Sequence, residues 1–225
     1  MSISFKEDHI SQIPALLMLV KLGYTYLTPD EALALRGGSV ANVVLESILR
    51  ERIAAINVVQ VSSTRTTVFS EQNITAGIEA LRNIPMDEGF MEASHTVYDL
   101  LTFGKTLEQI VDGDRKSFVM QPLDRKDIRN NVFHVTEEFA VSRTGMTDTY
   151  RPDIVLFVNG IPLCVIECKR PDVKDSIEQA ISQHLRNQKA DGIRSLSLYS
   201  TLLLAINRQE RSYATTATPE KFWAR

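Results

Sequence analysis

Hydrophobic positions change their spacing partway along the chain. From Ile10 to Leu22 they recur at helical intervals and stop at Gly23, so a helix is predicted there. Pro29 to Leu35 predicts a short helix, and Gly37-Gly38 a break. Ser39 then reads as the cap of a long helix with Leu45, Ile48, Leu49, Ile53 and Ile56 on one face. Helical spacing continues near 72 to 83 and 92 to 111, with a turn at Ile84-Pro85-Met86-Asp87-Glu88-Gly89 between them. Asp112-Gly113-Asp114 marks another turn.

Beyond that point strand patterns take over. Val132 to Val141 reads as a strand with Phe133, Val135, Phe139 and Val141 apolar. A hairpin follows, its arms Asp153 to Val158 and Ile161 to Lys169 joined by Asn159-Gly160, both residues tolerating positive φ. Pro171 stops the second arm. Asp175 with Glu178 predicts a capping box for a helix with Ile177, Ala180, Ile181, His184 and Leu185 on its apolar face. Strands at Leu202 to Ile206 and near Tyr213 close the pattern. This order predicts an α/β fold, a mixed central β-sheet flanked by helices with an N-terminal helical region. We read residues 1–225 as a single domain, 1–120 mainly helical and 130–216 the α/β core.

Composition adds little to this. At 44% hydrophobic and 24% charged, the 225 residues match an ordinary globular chain. No apolar run approaches ~18 residues and the first residues carry no signal-peptide pattern, so a cytoplasmic protein without membrane contact is expected. Cys164 and Cys168 share a strand, ~13 Å apart if extended, too far to bridge each other. They read as small apolar core residues. Net charge is −3, but residues 143–225 carry +3 and residues 1–142 carry −6. The hairpin lies in the basic part, where Arg151, Arg170, Lys174, Arg186 and Lys189 are candidates to meet phosphates.

The chemistry sits at the far end of the hairpin. An Asp, a Glu and a Lys inside an apolar hairpin are costly to bury unless they serve one another or a metal. Glu167 and Lys169, two apart on a strand, point to one face. They fit either a solvated strand-end pair or a site. The spacing of Asp153 and Glu167-Cys168-Lys169 resembles the catalytic signature of the PD-(D/E)xK nucleases. That resemblance implies a restriction-endonuclease-like core in which Asp153 and Glu167 hold Mg²⁺, with the Cys168 backbone carbonyl as a further ligand and Lys169 beside the reacting phosphate. It also sets a geometric condition. A regular two-residue hairpin would put Asp153 opposite Ile166, away from Glu167, so a three-residue loop or a bulge is required. Pro162 is a natural place for the irregularity.

Longer stretches narrow the resemblance. Val158-Asn159-Gly160-Ile161-Pro162-Leu163, Glu167-Cys168-Lys169-Arg170-Pro171, Ala180-Ile181-x-Gln183 and Leu202 to Asn207 are similar to the N-terminal nuclease domain of type I restriction enzyme R subunits. In that family a glutamine on this helix is followed four residues later by tyrosine. Gln183 matches the glutamine and is an accessory candidate, while Asn187 stands where tyrosine would be. Phe5-x-Glu7-Asp8, Ile13-Pro14-x-Leu16 and Leu22-Gly23-Tyr24 resemble the family's opening helix. They make Glu7 an accessory candidate, with Asp8 and Gln12 as alternatives. The resemblance implies an endonuclease acting on double-stranded DNA, with modification and specificity subunits as partners. ATP would be needed only by motor domains elsewhere in a longer subunit. A stand-alone repair or recombination nuclease and a non-catalytic DNA-binding or assembly module remain the alternatives. Gly104-Lys105-Thr106 imitates a phosphate loop, but Asp99 stands where its first glycine belongs, and it reads as a helix break. The scattered His9, His95, His134 and His184 lack zinc spacing.

Overall fold

The computed structural model describes residues 11–225. Helix α1 (Ile13–Lys21) opens with Pro14 in its first turn, where the missing N–H costs nothing, and ends before Gly23 at φ 102°. Strand β1 (Thr25–Leu27) was not expected from so short an apolar run. Helix α2 (Pro29–Leu35) starts with the reciprocal capping box of Thr28 and Glu31.

The next helix corrects an expectation. Ser39 does not cap it; its hydroxyl accepts from Ala41 N, and α3 begins only at Glu46 and runs to Ile56. The buried Arg36 guanidinium donates to Asn42 O and Ala140 O and lies 4.0 Å over the Phe139 ring. Taking the Asn42 carbonyl holds that segment out of helical geometry. Strands β2 (Val58–Gln60) and β3 (Thr66–Val68) precede α4 (Glu71–Arg82) and α5 (Phe90–Phe103).

The helix expected over 92 to 111 is also corrected. Gly104 at φ 76° ends α5, and Lys105–Val111 is strand β4, paired antiparallel with β5 (Asp114–Met120) across the Asp112-Gly113 turn. A Cβ on Gly104 would lie 2.4 Å from Met120 O, so the chain must open there with glycine. Leu107, Gln109 and Val111 alternate with more exposed neighbours, a two-residue period that the helical template absorbed.

Strand β6 spans only Phe133–Glu137, because Glu138 at φ 48° leaves extended geometry; β7 (Val141–Ser142) and β8 (Thr149–Tyr150) form a separate pair. The hairpin is β9 (Ile154–Val158) and β10 (Ile161–Cys168). Helix α6 (Ser176–Asn187) follows, then the short α7 (Arg194–Ser197), β11 (Leu202–Ile206) and β12 (Arg211–Ala214). The capping box expected at α6 does not form. Asp175 is left-handed at φ 53° and makes no side-chain cap bond, since a cap needs extended backbone to aim its oxygen at the first free N–H groups.

The described chain divides into two compact units. One holds the chain up to Val43, Phe133–Phe157 and Pro162–Arg225; the other holds Val44–Val132 and Val158–Ile161. In the first lies a mixed six-stranded sheet ordered β1-β6-β9-β10-β11-β12. β1 runs parallel to β6, β10 parallel to β11, and β12 antiparallel to β11. One sheet face carries the buried Val135, Ile154, Leu156, Cys164, Ile166 and Cys168 with Leu16 of α1. Alternation puts Glu167, Leu203 and Ala205 on the other face, where α6 bonds to the sheet. The second unit packs α3 on α4 beside the β4–β5 ribbon, with Leu49, Ile53, Ile74, Ile78 and Met120 fully buried. No helix among the described residues is long and apolar enough to cross a membrane.

Candidate active site

Between β9 and β10 the turn has two residues, Asn159 at φ 52° and Gly160 at φ 81°, so the three-residue loop does not occur. Continued as a regular ladder, that turn would put Ile154 on the face of Val165 and Glu167. Instead Ile154 and Leu156 share a core cluster with Cys164, Ile166 and Cys168. Side chains on opposite faces of a sheet do not share a cluster. The register is therefore offset by one residue somewhere between Leu156 and Cys164, the stretch that holds the turn and Pro162. Asp153 then stands level with Glu167.

Their carboxyl groups are within hydrogen-bonding reach, and Asp153 Oδ2 also accepts from Cys168 N at 2.6 Å. Glu167 is fully buried. Burial first, then the Asp153 charge, push its carboxyl well above the usual range, against the opposing pull of Lys169 and Arg186. Lys169 follows the end of β10, with Nζ donating to Cys168 O at 3.2 Å. The Cys168 thiol points into the opposite face and is inaccessible. Gln183 Nε2 donates to Glu167 Oε2 at 2.5 Å, and Asn187 Nδ2 to Glu167 Oε1 at 3.3 Å. The structure thus brings Asp153, Glu167, Lys169 and Gln183 together, and adds Asn187.

The open end of the hairpin is held by residues entering α1. Ser11 Oγ donates to Lys169 O at 2.7 Å, and Gln12 Nε2 to Asp153 O at 3.1 Å and Glu137 Oε2 at 3.2 Å. Glu137 Oε1 accepts from Tyr26 OH at 2.7 Å, and burial together with this bond raises the Tyr26 phenol to about 12. Ser11, Tyr26 and Glu137 went unread in the sequence; only an acid within the apolar strand expected over 132–141 offered a signal. Glu7 and Asp8 lie outside the described residues. Among the phosphate candidates, Arg151 and Lys174 are exposed, Arg170 pairs with Asp172, and Arg186 lies 4.3 Å over the Tyr150 ring.

The donor set suits a hard cation. Two carboxylates and a backbone carbonyl offer only oxygen, the pattern of Mg²⁺, which keeps several waters and needs one or two protein carboxylates. Among the described residues no group of three or more His, Cys, Asp or Glu is placed to hold a metal.

His184 lies beneath this site on α6. Its Nε2 is 2.8 Å from Leu204 O, so Nε2 carries the proton, and Trp223 packs 5.3 Å away. Burial lowers its pKa to about 4 from 6.5, with Lys169 adding to the shift. A neutral buried histidine contributes stability above pH 6.5 that is lost as pH falls through 4, about 3 kcal/mol at most. Glu167 acts in the opposite sense. The expected outcome is that urea melts of wild type and His184→Gln between pH 7 and 4 differ by this slope, which disappears from the variant. Equal slopes in both proteins would contradict it.

The family model described as type I restriction enzyme R protein N terminus matches residues 4–222. The chain is similar to the putative type I restriction enzyme MjaIXP endonuclease subunit of Methanocaldococcus jannaschii, 26% identical over 97% of the chain and 20% of that protein. It is also similar to the HindI endonuclease subunit of Haemophilus influenzae, 29% identical over 88% of the chain and 18% of that protein. The chain spans about a fifth of the length of these curated relatives.

Proposed function

We propose, from the premise that this chain belongs to the type I restriction enzyme R protein N-terminal family, that it is the endonuclease domain of such an enzyme, hydrolysing DNA phosphodiester bonds with Mg²⁺. The membership rests on the match over residues 4–222; the activity is inferred from the site. The observation that carries it is the one-residue register shift that sets Asp153 beside Glu167, with Lys169 at the same strand end. Besides joining Ile154 and Leu156 to the core cluster of Cys164, Ile166 and Cys168, the shift sets two acids side by side at the cost of burying one. It favours a PD-(D/E)xK core over the assembly-module reading, which asks nothing of these carboxylates.

In this reading Asp153, Glu167 and the Cys168 carbonyl hold the cation. When bound, Mg²⁺ would lower the pKa of a coordinated water and neutralise charge on the phosphate. The chain's own residues do the rest. Gln183 and Asn187 orient the Glu167 carboxylate. The Lys169 ammonium, a half-buried cation at the same strand end, turns from Cys168 O to the scissile phosphate and stabilises its developing charge. Ser11 and Gln12 hold the backbone on which Lys169 and Asp153 ride. Arg151, Lys174 and Arg186 approach flanking phosphates of double-stranded DNA. ATP-driven translocation, modification and specificity subunits and a cytoplasmic location complete the proposal for the intact protein.

The test is a DNA nicking assay on the intact enzyme complex across a Mg²⁺ titration. Cleavage that tracks Mg²⁺ and stops with chelator supports the reading; full cleavage in chelator, with metal verified absent, rejects it.

A further inference from the structure

A chain of contacts runs from the protein surface into the buried carboxylate. Both Glu167 oxygens are bonded by side-chain amides of α6, Oε2 by Gln183 and Oε1 by Asn187. An asparagine amide is ambiguous by itself, since either end can turn toward a partner. Here the choice is made by Arg186. Its Nε and Nη2 donate to Asn187 Oδ1 at 3.4 and 3.2 Å, and a guanidinium has no acceptor to offer. The oxygen of Asn187 must face Arg186, so the NH₂ must face Glu167. Arg186 is itself seated by stacking, 4.3 Å over the Tyr150 ring, which Arg143 flanks at 4.5 Å. Arg143 in turn pairs with Asp148 and Asp191. Asn187 is buried, whereas Arg186 is exposed.

Resting on the nuclease reading above, we propose that Asn187 and Arg186 are positioning residues for the metal carboxylate. Arg186 sets the polarity of the Asn187 amide, and Asn187 fixes Glu167 in the rotamer that meets the cation. Asn187 supplies this hold at the position where the resembled family carries tyrosine. Groups that orient a metal ligand typically change metal affinity by about 10- to 100-fold when removed. Arg186 therefore serves the site through Asn187, separately from any phosphate it touches.

The test measures Mn²⁺ affinity by calorimetry on the intact protein without DNA, for Asn187→Ala, Arg186→Gln, the double variant and Glu167→Gln. Asn187→Ala should weaken Mn²⁺ binding about 10- to 100-fold, while cleavage at saturating Mn²⁺ recovers to within about threefold of wild type. Arg186→Gln, an exposed change that leaves the core intact, should weaken Mn²⁺ binding less, and should add nothing once Asn187 is alanine. Wild-type Mn²⁺ affinity in Asn187→Ala, or losses that multiply in the double variant, would overturn the relay. Glu167→Gln separates the two readings. If it abolishes Mn²⁺ binding while Asn187→Ala does not weaken it, only the relay fails; if it binds Mn²⁺ normally, the metal-site assignment fails first.

Discussion

Alanine at Asp153, Glu167 or Lys169 is expected to lower DNA cleavage by the intact enzyme about 10³-fold or more, while ATP hydrolysis continues at the wild-type rate. The size follows from how these groups work. The two carboxyls are in hydrogen-bonding reach and the ammonium sits at the same strand end, so each removal disables one shared arrangement for charge stabilisation. A loss of 10³ corresponds to about 4 kcal/mol of transition-state stabilisation. Because the groups act as a unit, the Asp153/Lys169 double variant should be no slower than either single one. ATP hydrolysis is expected to survive because the described residues hold no phosphate loop. Gly104 ends α5 and Lys105 opens a strand, so Gly104-Lys105-Thr106 is not followed by the helix a phosphate loop needs. Nicking and ATPase assays on each variant decide the matter. Wild-type cleavage by Lys169→Ala would remove the site assignment, and loss of ATP hydrolysis with cleavage intact would point to an assembly role.

The largest effect on stability is expected at the hairpin turn. Gly160→Ala should lower stability by about 3 kcal/mol or more, a fall in Tm of about 10 °C for a chain of this size. Gly160 has φ 81°, where a Cβ costs about 1–2 kcal/mol. The added Cβ would also lie 2.5 Å from Leu45 O and 3.2 Å from Leu49 N, both backbone atoms at the start of α3. Neither can turn aside as a flexible side chain would, and the Leu45 N to Gly160 O bond of 2.8 Å would be disturbed. Gly113→Ala is the matched control. It has φ 87° in an open turn with nothing near the new Cβ, so only the conformational cost of about 1–2 kcal/mol should appear. Thermal melts showing equal losses for the two variants would contradict the close-approach argument.

Strong local signals were legible along the chain. Asn159-Gly160 and Asp112-Gly113 are turns because their residues tolerate positive φ, and Leu202–Ile206 is a strand as its apolar run implied. The apolar stripe of α6 was readable too, since Ile177, Ala180, Ile181 and His184 are all buried. Where the reading failed, a distant partner intervened. Arg36 holds the Asn42 carbonyl and delays α3, and the backbone of β5 against Gly104 turns an expected helix end into strand β4.

The sequence by itself determined that Asp153, Glu167 and Lys169 belong to one hairpin, and that a register shift was needed to join them. Spacing and turn chemistry are local properties, so they can be counted along the chain. Only the tertiary structure decided that the turn keeps two residues and that the pairing is nonetheless offset by one. It alone brought Ser11 and Gln12 to the backbone of Lys169 and Asp153 across more than a hundred residues. The same holds for Asn187, which in the sequence was merely a missing tyrosine. Its bond to Glu167 Oε1 depends on α6 packing against β11, the neighbour of β10, and its amide orientation on an arginine seated by a ring from β8. Polar partners of that kind are selected by geometry in three dimensions, because a buried carboxylate is satisfied by whichever donors the packing places within reach.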